Sequence, residues 1–508
     1  MNPIARTLNS NRAAAVLCVL IIAVSFSMFG FTLARYPIYF DDEPFFNLSA
    51  VRFLTGKSFA YVVHPDAPHA GDLWAYHSPL FFRMQVLTFK IFGLNHFSCR
   101  IPSWMGCHLA IGMLCGLLIR HRMRLAAIMI ACLWIGDSST QEMLLGRPDG
   151  VALLGVAAGF YALVGAVTTG SVRWSVACGI GLGLAVGMNI ATIYFVPAAA
   201  LALLAICPLR VSLRLLIGFG IGLAAMALVF VSFWLPRPLA AGEQFRWFVE
   251  FHEKDFSSIR ENWIGIVGKL GRGKYWILAL IAGWLAVLVP AAAVKLRQIH
   301  KHARCDPAST IVVSATLFTA AALALFSLSS MYRYYLTFFT PWPVLGMAVL
   351  AGQAVGTGVK QRIAAGLMCA ILGAAWLPSL VWNGLKLREN LTFYSRLDDE
   401  PTREFLARAL PRETRVVADP KYFLLLNNAG IEYEPLPWYA SIRSLSMPDD
   451  SSLVISRGYH SVISRDRPEW IEGRTLIAFT NVFPRVIAGA KWLREPFYVY
   501  GPAGHDRR

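Results

Sequence analysis

Three consecutive acids form the densest polar feature of the sequence. Asp41, Asp42 and Glu43 follow the first long apolar run by a few residues and stand directly before Pro44. Carboxylates this close repel one another and the anionic headgroups of a membrane surface, so they require cationic partners or a functional reason. A carboxylate there could take a proton from a hydroxyl group. An Asp N-cap followed by proline in the first helical turn would give the same pattern without any chemistry.

A second cluster lies in the sequence Gly146-Arg147-Pro148-Asp149, where the chain enters another apolar run. Arg147 would be a fixed cation at headgroup depth, and Asp149 would begin a helix, where the macrodipole favours a negative charge. An arginine in this position could bind a lipid phosphate. The alternative is an Arg–Asp pair that binds no substrate.

Two further clusters contain a titratable or cationic side chain between apolar segments. His77 precedes Ser78-Pro79, and Arg333 with Tyr334 lies inside a run of tyrosines. Both could contribute to a substrate site. The alternatives are a loop histidine and an interfacial anchor, in which tyrosines and an arginine reach the headgroup level.

The composition indicates the elements that must position these residues. Of 508 residues, 56% are hydrophobic and 15% are charged, and the mean hydropathy is +0.52. Soluble domains have about a quarter charged residues, so the chain is predicted to be a multi-pass α-helical membrane protein. The net charge of +17 is scattered over loops, which argues against nucleic acid as a partner. Eleven apolar runs are predicted to span the membrane, at 13–34, 101–119, 125–141, 149–168, 174–190, 191–207, 213–235, 275–294, 309–329, 334–352 and 363–384.

The two runs at 174–190 and 191–207 are continuous, and we interpret them as two helices broken near Asn189. The basic residues of the short loops fall in every second loop, so they all lie on one side of the membrane, and the positive-inside rule makes that side, with the N-terminus, cytoplasmic. Three longer segments then face outward: 35–100, 236–274 and the tail at 385–508. All four polar clusters lie on this non-cytoplasmic side. Two arginines facing a carboxylate pair could hold a lipid phosphate while an acid works on an incoming hydroxyl.

Within this organisation, residues 1–384 are predicted to be a transmembrane domain and residues 385–508 a small soluble α/β domain. The spacing of apolar residues predicts interfacial helices at 44–54 and 79–92 in the first outward loop. In the tail, β-like runs at 414–418, 452–456, 475–479 and 497–500 accompany a helical pattern at 399–410.

Several stretches resemble the GT-C superfamily of membrane glycosyltransferases, in the branch of protein O-mannosyltransferases and bacterial lipid A aminoarabinose transferases (glycosyltransferase families 39 and 83). The matching stretches lie within about the first 170 residues: Asp42-Glu43 with the following Ala50, Leu54 and Gly56, then His77-Ser78-Pro79-Leu80, Phe92-Gly93, Arg100-Ile101-Pro102 and Arg147-Pro148-Asp149. The family usually has His-Pro-Pro where this chain has His77-Ser78-Pro79.

The resemblance implies an inverting transferase that moves a monosaccharide from a polyprenyl-phosphate donor to a hydroxyl of a lipid, glycan or protein acceptor. Asp42 best matches the family's catalytic base, with Asp41 and Glu43 beside it. Arg147, Asp149, His77, Arg333 and Tyr334 are the candidates for binding donor phosphate or substrate. Neither a metal nor a further cofactor is expected.

The expected location is a bacterial inner membrane, with the C-terminal domain in the periplasm and membrane lipids as neighbours. A transporter or flippase for a lipid-linked or anionic substrate is the alternative. Such proteins usually have repeats and charges near the middle of the membrane, whereas these spans are almost free of charge. A non-catalytic scaffold and a ligase that uses a pyrophosphate-linked glycan are further alternatives.

Overall fold

The fold was analysed in a computed structural model of the chain. It describes residues 10–33, 43–56, 67–69, 78–136, 146–253, 275–302, 305–328, 335–354 and 359–393, and in the tail 416–418, 424, 426, 431, 433–435, 453–457, 475–479 and 497–501. The described part before residue 394 is almost entirely helical.

The first half of the bundle contains nine described α-helices and one 3₁₀ helix. They are α1 (Asn11–Thr32), α2 (Glu43–Leu54), α3 (Pro79–Phe92), α4 (His96–Arg120), α5 (Arg124–Gly136), α6 (Asp149–Thr169), α7 (Val172–Met188), a 3₁₀ helix (Ile190–Tyr194), α8 (Phe195–Ile206) and α9 (Leu209–Ser232).

The second half continues with seven further α-helices and one π-helical turn. They are α10 (Pro238–Glu253), α11 (Tyr275–Gly283), the π turn (Trp284–Leu288), α12 (Val289–His302), α13 (Pro307–Leu328), α14 (Leu336–Phe339), α15 (Pro341–Ala354) and α16 (Val359–Phe393).

Each of the eleven predicted apolar runs contains helix, but the count of eleven spans is not confirmed. Within the described residues, six helical segments are long and apolar enough to cross a membrane by length and composition. The other runs form helices that are shorter, interrupted or incompletely described. The six segments are Asn11–Phe31, His96–Arg120, Asp149–Thr169, Leu209–Ser232, Ile277–Lys301 and Pro307–Leu328.

The predicted break near Asn189 is confirmed. Helix α7 ends at Met188, and the backbone of Asn189 is extended, with φ −145° and ψ 113°. The 3₁₀ helix then begins at Ile190. The apolar stretch therefore changes direction at this point.

Glycines allow the central helices to approach closely. A Cβ on Gly106 of α4 would lie 2.6 Å from the carbonyl oxygen of Gly150 in α6, and a Cβ on Gly155 would lie 2.8 Å from the backbone nitrogen of Ala185 in α7. Small residues at such crossings let backbones touch, which is how helices associate in lipid. The entrance of α6 is consequently held tightly against α4.

Both helices predicted in the first outward loop are present, as α2 and α3. Ser78 caps α3 by accepting a hydrogen bond from the backbone nitrogen of Phe81 (3.3 Å), and Gly93 ends it with φ +80°. Helix α3 buries Phe82 and exposes Leu87 on its other face. Their position in the membrane interface stays a prediction.

The tail contains a five-stranded mixed sheet, with strand order β2-β1-β3-β5-β4. Strand β1 pairs in parallel with β2 and β3, and β5 pairs antiparallel with β3 and β4. Four strands coincide with the four predicted β-like runs, whereas the helix predicted at 399–410 lies outside the described residues. The division into a transmembrane and a soluble α/β domain stays a prediction. The strands are β1 (Val416–Ala418), β2 (Tyr433–Pro435), β3 (Leu453–Arg457), β4 (Thr475–Phe479) and β5 (Phe497–Gly501).

Candidate functional site

The structure describes three of the eight predicted site residues. Glu43, Arg147 and Asp149 are all buried. Glu43 bonds to the residue before Arg147, and Arg147 bonds to Asp149. The other five predicted site residues lie outside the described part of the chain: Asp41, Asp42, His77, Arg333 and Tyr334.

Glu43, the first residue of α2, forms a bidentate ion pair with Arg100 in the first turns of α4. Its Oε1 accepts from Nε of Arg100 at 2.8 Å, and its Oε2 accepts from Nη2 at 2.8 Å. Glu43 is 0% exposed and Arg100 is 1% exposed. Two parallel charge-assisted hydrogen bonds fix the relative orientation of the two groups. The start of α2, which directly follows Asp42, is therefore tied to α4.

Arg100 also contacts the end of the first membrane helix. Its Nη1 donates to the backbone oxygen of Leu33 at 3.1 Å, just beyond the last residue of α1. Carbonyl groups at a helix C-terminus lack intrahelical partners, and a cation there also suits the helix dipole. One guanidinium thus joins α1, α2 and α4 next to the predicted acid cluster.

Gly146 joins the first cluster to the second. Its backbone nitrogen donates to Oε1 of Glu43 at 2.6 Å. A Cβ at this glycine would lie 2.9 Å from Nδ2 of Asn47, 3.1 Å from Sγ of Cys99 and 3.1 Å from Oε1 of Glu43. The position therefore suits glycine, and the next residue, Arg147, lies close to α2.

Arg147 and Asp149 form a second buried ion pair. Nε of Arg147 donates to Oδ2 of Asp149 at 2.7 Å, and the guanidinium carbon lies 4.7 Å from the centre of the Phe46 ring. Arg147 is 5% exposed and Asp149 is 1% exposed. A guanidinium over an aromatic face is stabilised by the ring quadrupole. The ring belongs to α2, so the pair is again in contact with the helix that follows Asp42.

Two contacts with Ser103 hold the entrance of α6 against α4. The hydroxyl of Ser103 donates to the backbone oxygen of Arg147. A Cβ on Gly150 would collide with the backbone oxygen of Ser103. The backbone of Arg147 is therefore placed by α4, while its side chain is oriented by Asp149.

A layer of amide side chains lies behind the first ion pair. Nδ2 of Asn47 donates to the backbone oxygen of Glu43 at 2.5 Å. Nε2 of Gln85 in α3 donates to Oδ1 of Asn47 and lies 3.3 Å from the backbone oxygens of Cys99 and Gly146. Buried polar groups that are bonded to one another specify a single arrangement. Helices α2, α3 and α4 and the segment before α6 therefore meet in one polar cluster.

The segments next to the other two predicted clusters also approach this region. Ser78, which follows His77, donates from its hydroxyl to Sδ of Met188 at 3.4 Å. Helix α14, which begins two residues after Tyr334, contacts α6. Within the described part of the chain, no three His, Cys, Asp or Glu side chains are grouped as a metal site requires.

Sequence reasoning did not select four of the polar residues in this region: Arg100, Asn47, Gln85 and Asn189, whose amide nitrogen donates to Oδ1 of Asp149 at 2.5 Å. Arg100 was part of a matching stretch but was not proposed for the site, although an arginine inside an apolar helix is an informative signal. Asn47 and Gln85 had no signal beyond being amides in otherwise apolar helices. Asn189 was used only to divide two helices.

Comparison with known proteins supports the expected resemblance. Residues 76–235 match the sequence model of the family described as dolichyl-phosphate-mannose-protein mannosyltransferase. This match includes Arg100, Arg147 and Asp149 and ends before the second outward segment. No curated protein matches the chain in sequence.

The fold is similar to that of two solved structures. ArnT from Cupriavidus metallidurans bound to undecaprenyl phosphate aligns with a TM-score of 0.56 and 12% identity, over 95% of this chain and 97% of that chain. The same protein in the apo state aligns with a TM-score of 0.54 and 14% identity, over 86% and 92%. The resemblance to GT-C membrane glycosyltransferases is confirmed by the family match and by this shared fold.

Proposed function

We propose that this chain is an inverting glycosyltransferase, which moves a monosaccharide from a polyprenyl-phosphate donor to a hydroxyl group. The observation that carries the proposal is the hydrogen bond from Gly146 to Glu43, because it brings the segment after Asp42 next to Arg147. A general base and a phosphate-binding cation must lie within one substrate's length of each other. The family match and the ArnT-like fold support the same reaction class.

The residues have separate roles in this proposal. Asp42, or Asp41 beside it, removes the proton from the acceptor hydroxyl as its oxygen bonds to the anomeric carbon. The bond from that carbon to the donor phosphate oxygen breaks, and the lipid phosphate leaves. Arg147 stabilises the charge that develops on this phosphate. We assign Glu43 to positioning, since both of its carboxylate oxygens accept hydrogen bonds that hold α2 in place.

The remaining substrate contacts are proposed on sequence grounds. His77, Arg333 and Tyr334 are assigned to donor or acceptor binding, and no metal or cofactor is assigned. The polyprenyl-phosphate donor is supported by analogy with the ArnT structure, which contains undecaprenyl phosphate. We place the reaction on the outer side of a bacterial inner membrane, with a lipid, glycan or protein as acceptor.

The test is transfer of radiolabelled sugar from polyprenyl-phosphate donors by the purified full-length chain in nanodiscs. Removing the base should lower the rate by about 10²–10⁴-fold, the usual contribution of a general base. We therefore expect Asp42→Asn, or otherwise Asp41→Asn, to be nearly inactive while it keeps the wild-type unfolding temperature.

Asp306→Asn is the matched control. Asp306 caps α13 by accepting from the backbone nitrogen of Ser309 at 2.9 Å, and asparagine is an equally good cap. It should transfer sugar at the wild-type rate. Transfer that persists in both the Asp41 and the Asp42 variants would remove these residues as bases. Donor binding without transfer to any acceptor would favour the transporter.

A further inference from the structure

The side chain of Asn189 connects the helix break to the second ion pair. Its Oδ1 accepts from the backbone nitrogen of Ala191 at 2.9 Å and so caps the 3₁₀ helix. Since a backbone nitrogen can only donate, this contact requires the amide oxygen. The amide nitrogen must then face the other way, where it donates to Oδ1 of Asp149 at 2.5 Å.

Asp149 thereby has a separate partner on each oxygen. Oδ1 accepts from Asn189, and Oδ2 accepts from Nε of Arg147. A carboxylate held by one hydrogen bond can still rotate about its χ2 torsion, whereas two bonds on opposite oxygens fix its plane. Because the guanidinium of Arg147 is planar and donates from Nε to Oδ2, the fixed position of that oxygen in turn sets the direction of the guanidinium.

We propose that Asn189 is a positioning residue for the donor phosphate and acts on Arg147 through Asp149. The proposal rests on the function assigned above, in which Arg147 binds the lipid phosphate. Asn189 is suited to this role because a neutral amide donates a hydrogen bond without adding charge, so Asp149 keeps its full charge for Arg147. The helix break is required because it turns this amide toward the entrance of α6.

The test is the affinity of the full-length chain in nanodiscs for undecaprenyl phosphate, measured for wild type and Asn189→Asp. Aspartate keeps the capping oxygen but replaces the amide donor by a carboxylate oxygen that faces Asp149. At about pH 8 the two carboxylates repel each other, and we expect about tenfold weaker binding. Protonation of either carboxylate removes this repulsion, so the deficit relative to wild type at the same pH should shrink when the pH is lowered to about 5.

A role in helix capping alone gives a different result, because aspartate and asparagine are equally good caps. Wild-type affinity of Asn189→Asp at both pH values would overturn the proposal, and so would a deficit that does not change with pH. Asn189→Ser is the second variant: serine keeps a capping oxygen but is too short to reach Asp149. It should bind undecaprenyl phosphate more weakly at both pH values, and wild-type binding would overturn the proposal.

Asn95→Asp is the matched control, since Asn95 caps α4 and the described hydrogen bonds of its side chain go to Ser98 and Phe92. It should bind like wild type at both pH values. Failure of the proposed function is distinguishable from failure of this inference. In the first case the wild-type chain itself neither binds undecaprenyl phosphate nor transfers sugar, and in the second it does both while the Asn189 variants behave like it.

Discussion

The two buried ion pairs of the site differ in what they connect. Glu43 and Arg100 are 57 residues apart and join the starts of two helices, with the end of α1 attached through Leu33. Arg147 and Asp149 are two residues apart at the entrance of a single helix. The first pair has two parallel hydrogen bonds between its charged groups, and the second has one described hydrogen bond between them.

The two ion pairs therefore have different roles. The first holds distant segments together, and the second orients a charged group. A bidentate pair between distant segments resists separation of those segments, and removing one partner leaves a buried charge uncompensated. A pair within one turn adds little to the tertiary structure, but it sets the direction of its guanidinium. We therefore expect the first pair to govern stability and the second to govern donor binding.

The largest expected effect comes from breaking the first pair. Arg100→Leu should lower the free energy of unfolding by about 3–5 kcal/mol, because Glu43 would remain buried without its cation. Thermal unfolding in detergent measures this loss. Lys90→Leu, on the exposed face of α3, is the control and should unfold near the wild-type temperature.

The double variant Glu43→Met with Arg100→Met tests the same prediction further. Apolar residues of similar volume often replace a buried ion pair without loss, so the double variant should be more stable than Arg100→Leu. An Arg100→Leu protein as stable as wild type would show that the pair does not hold α2 against α4.

The next effect concerns the second pair. Arg147→Lys keeps the positive charge beside Asp149 but loses the planar fork of donors. We expect kcat/KM for the polyprenyl-phosphate donor to fall about 100-fold, which corresponds to about 2.7 kcal/mol, while stability changes by less than about 1 kcal/mol. Arg83→Lys, whose guanidinium lies 4.3 Å from the centre of the Phe233 ring, is the control and should be fully active. A large loss of stability with unchanged turnover would show that the second pair governs stability and not donor binding, contrary to the prediction.

The smallest expected effect comes from a change at Gly146, which lies between the two ion pairs. Gly146→Ala would place a Cβ against Asn47, Cys99 and Glu43, and such overpacking costs about 1–3 kcal/mol. Since Gly146 contacts both clusters, we expect a lower unfolding temperature together with weaker donor binding. Gly112→Ala, at a position in α4 with open space around it, should change neither measurement. A change in stability alone would mean that the two pairs act independently.

Helices were predictable from the sequence because the apolar runs have the length of membrane helices and the apolar residues of the first outward loop have helical spacing. The spacing of apolar residues predicted α3, and the polar Asn189 inside an apolar stretch indicated a break. Whether each helix crosses the membrane was not predictable from hydropathy alone. Helix α7, for example, has only 17 residues, because Asn189 ends it early.

The candidate site was only partly predictable, because the sequence shows residue types and not their partners. Glu43 is one member of an acid cluster in the sequence, and its pairing with Arg100 depends on how α2 packs against α4. Nothing in the sequence indicated a role for Gly146, because the group that bonds to Glu43 is its backbone nitrogen. Arg147 with Asp149 was recognisable because the two partners are only two residues apart in the chain.

The crossing of α4 and α6 at Gly106 and Gly150 has a consequence for the lipid environment. This contact between backbones is stabilised by close van der Waals packing. Exclusion of water adds little to its stability, because lipid tails are as apolar as leucine side chains. Such a contact should not vary with bilayer thickness. Helices α1 and α9, which expose much apolar surface, can change their tilt as the acyl chains change in length. Arg147 should then keep its distance from α2 in membranes of different composition.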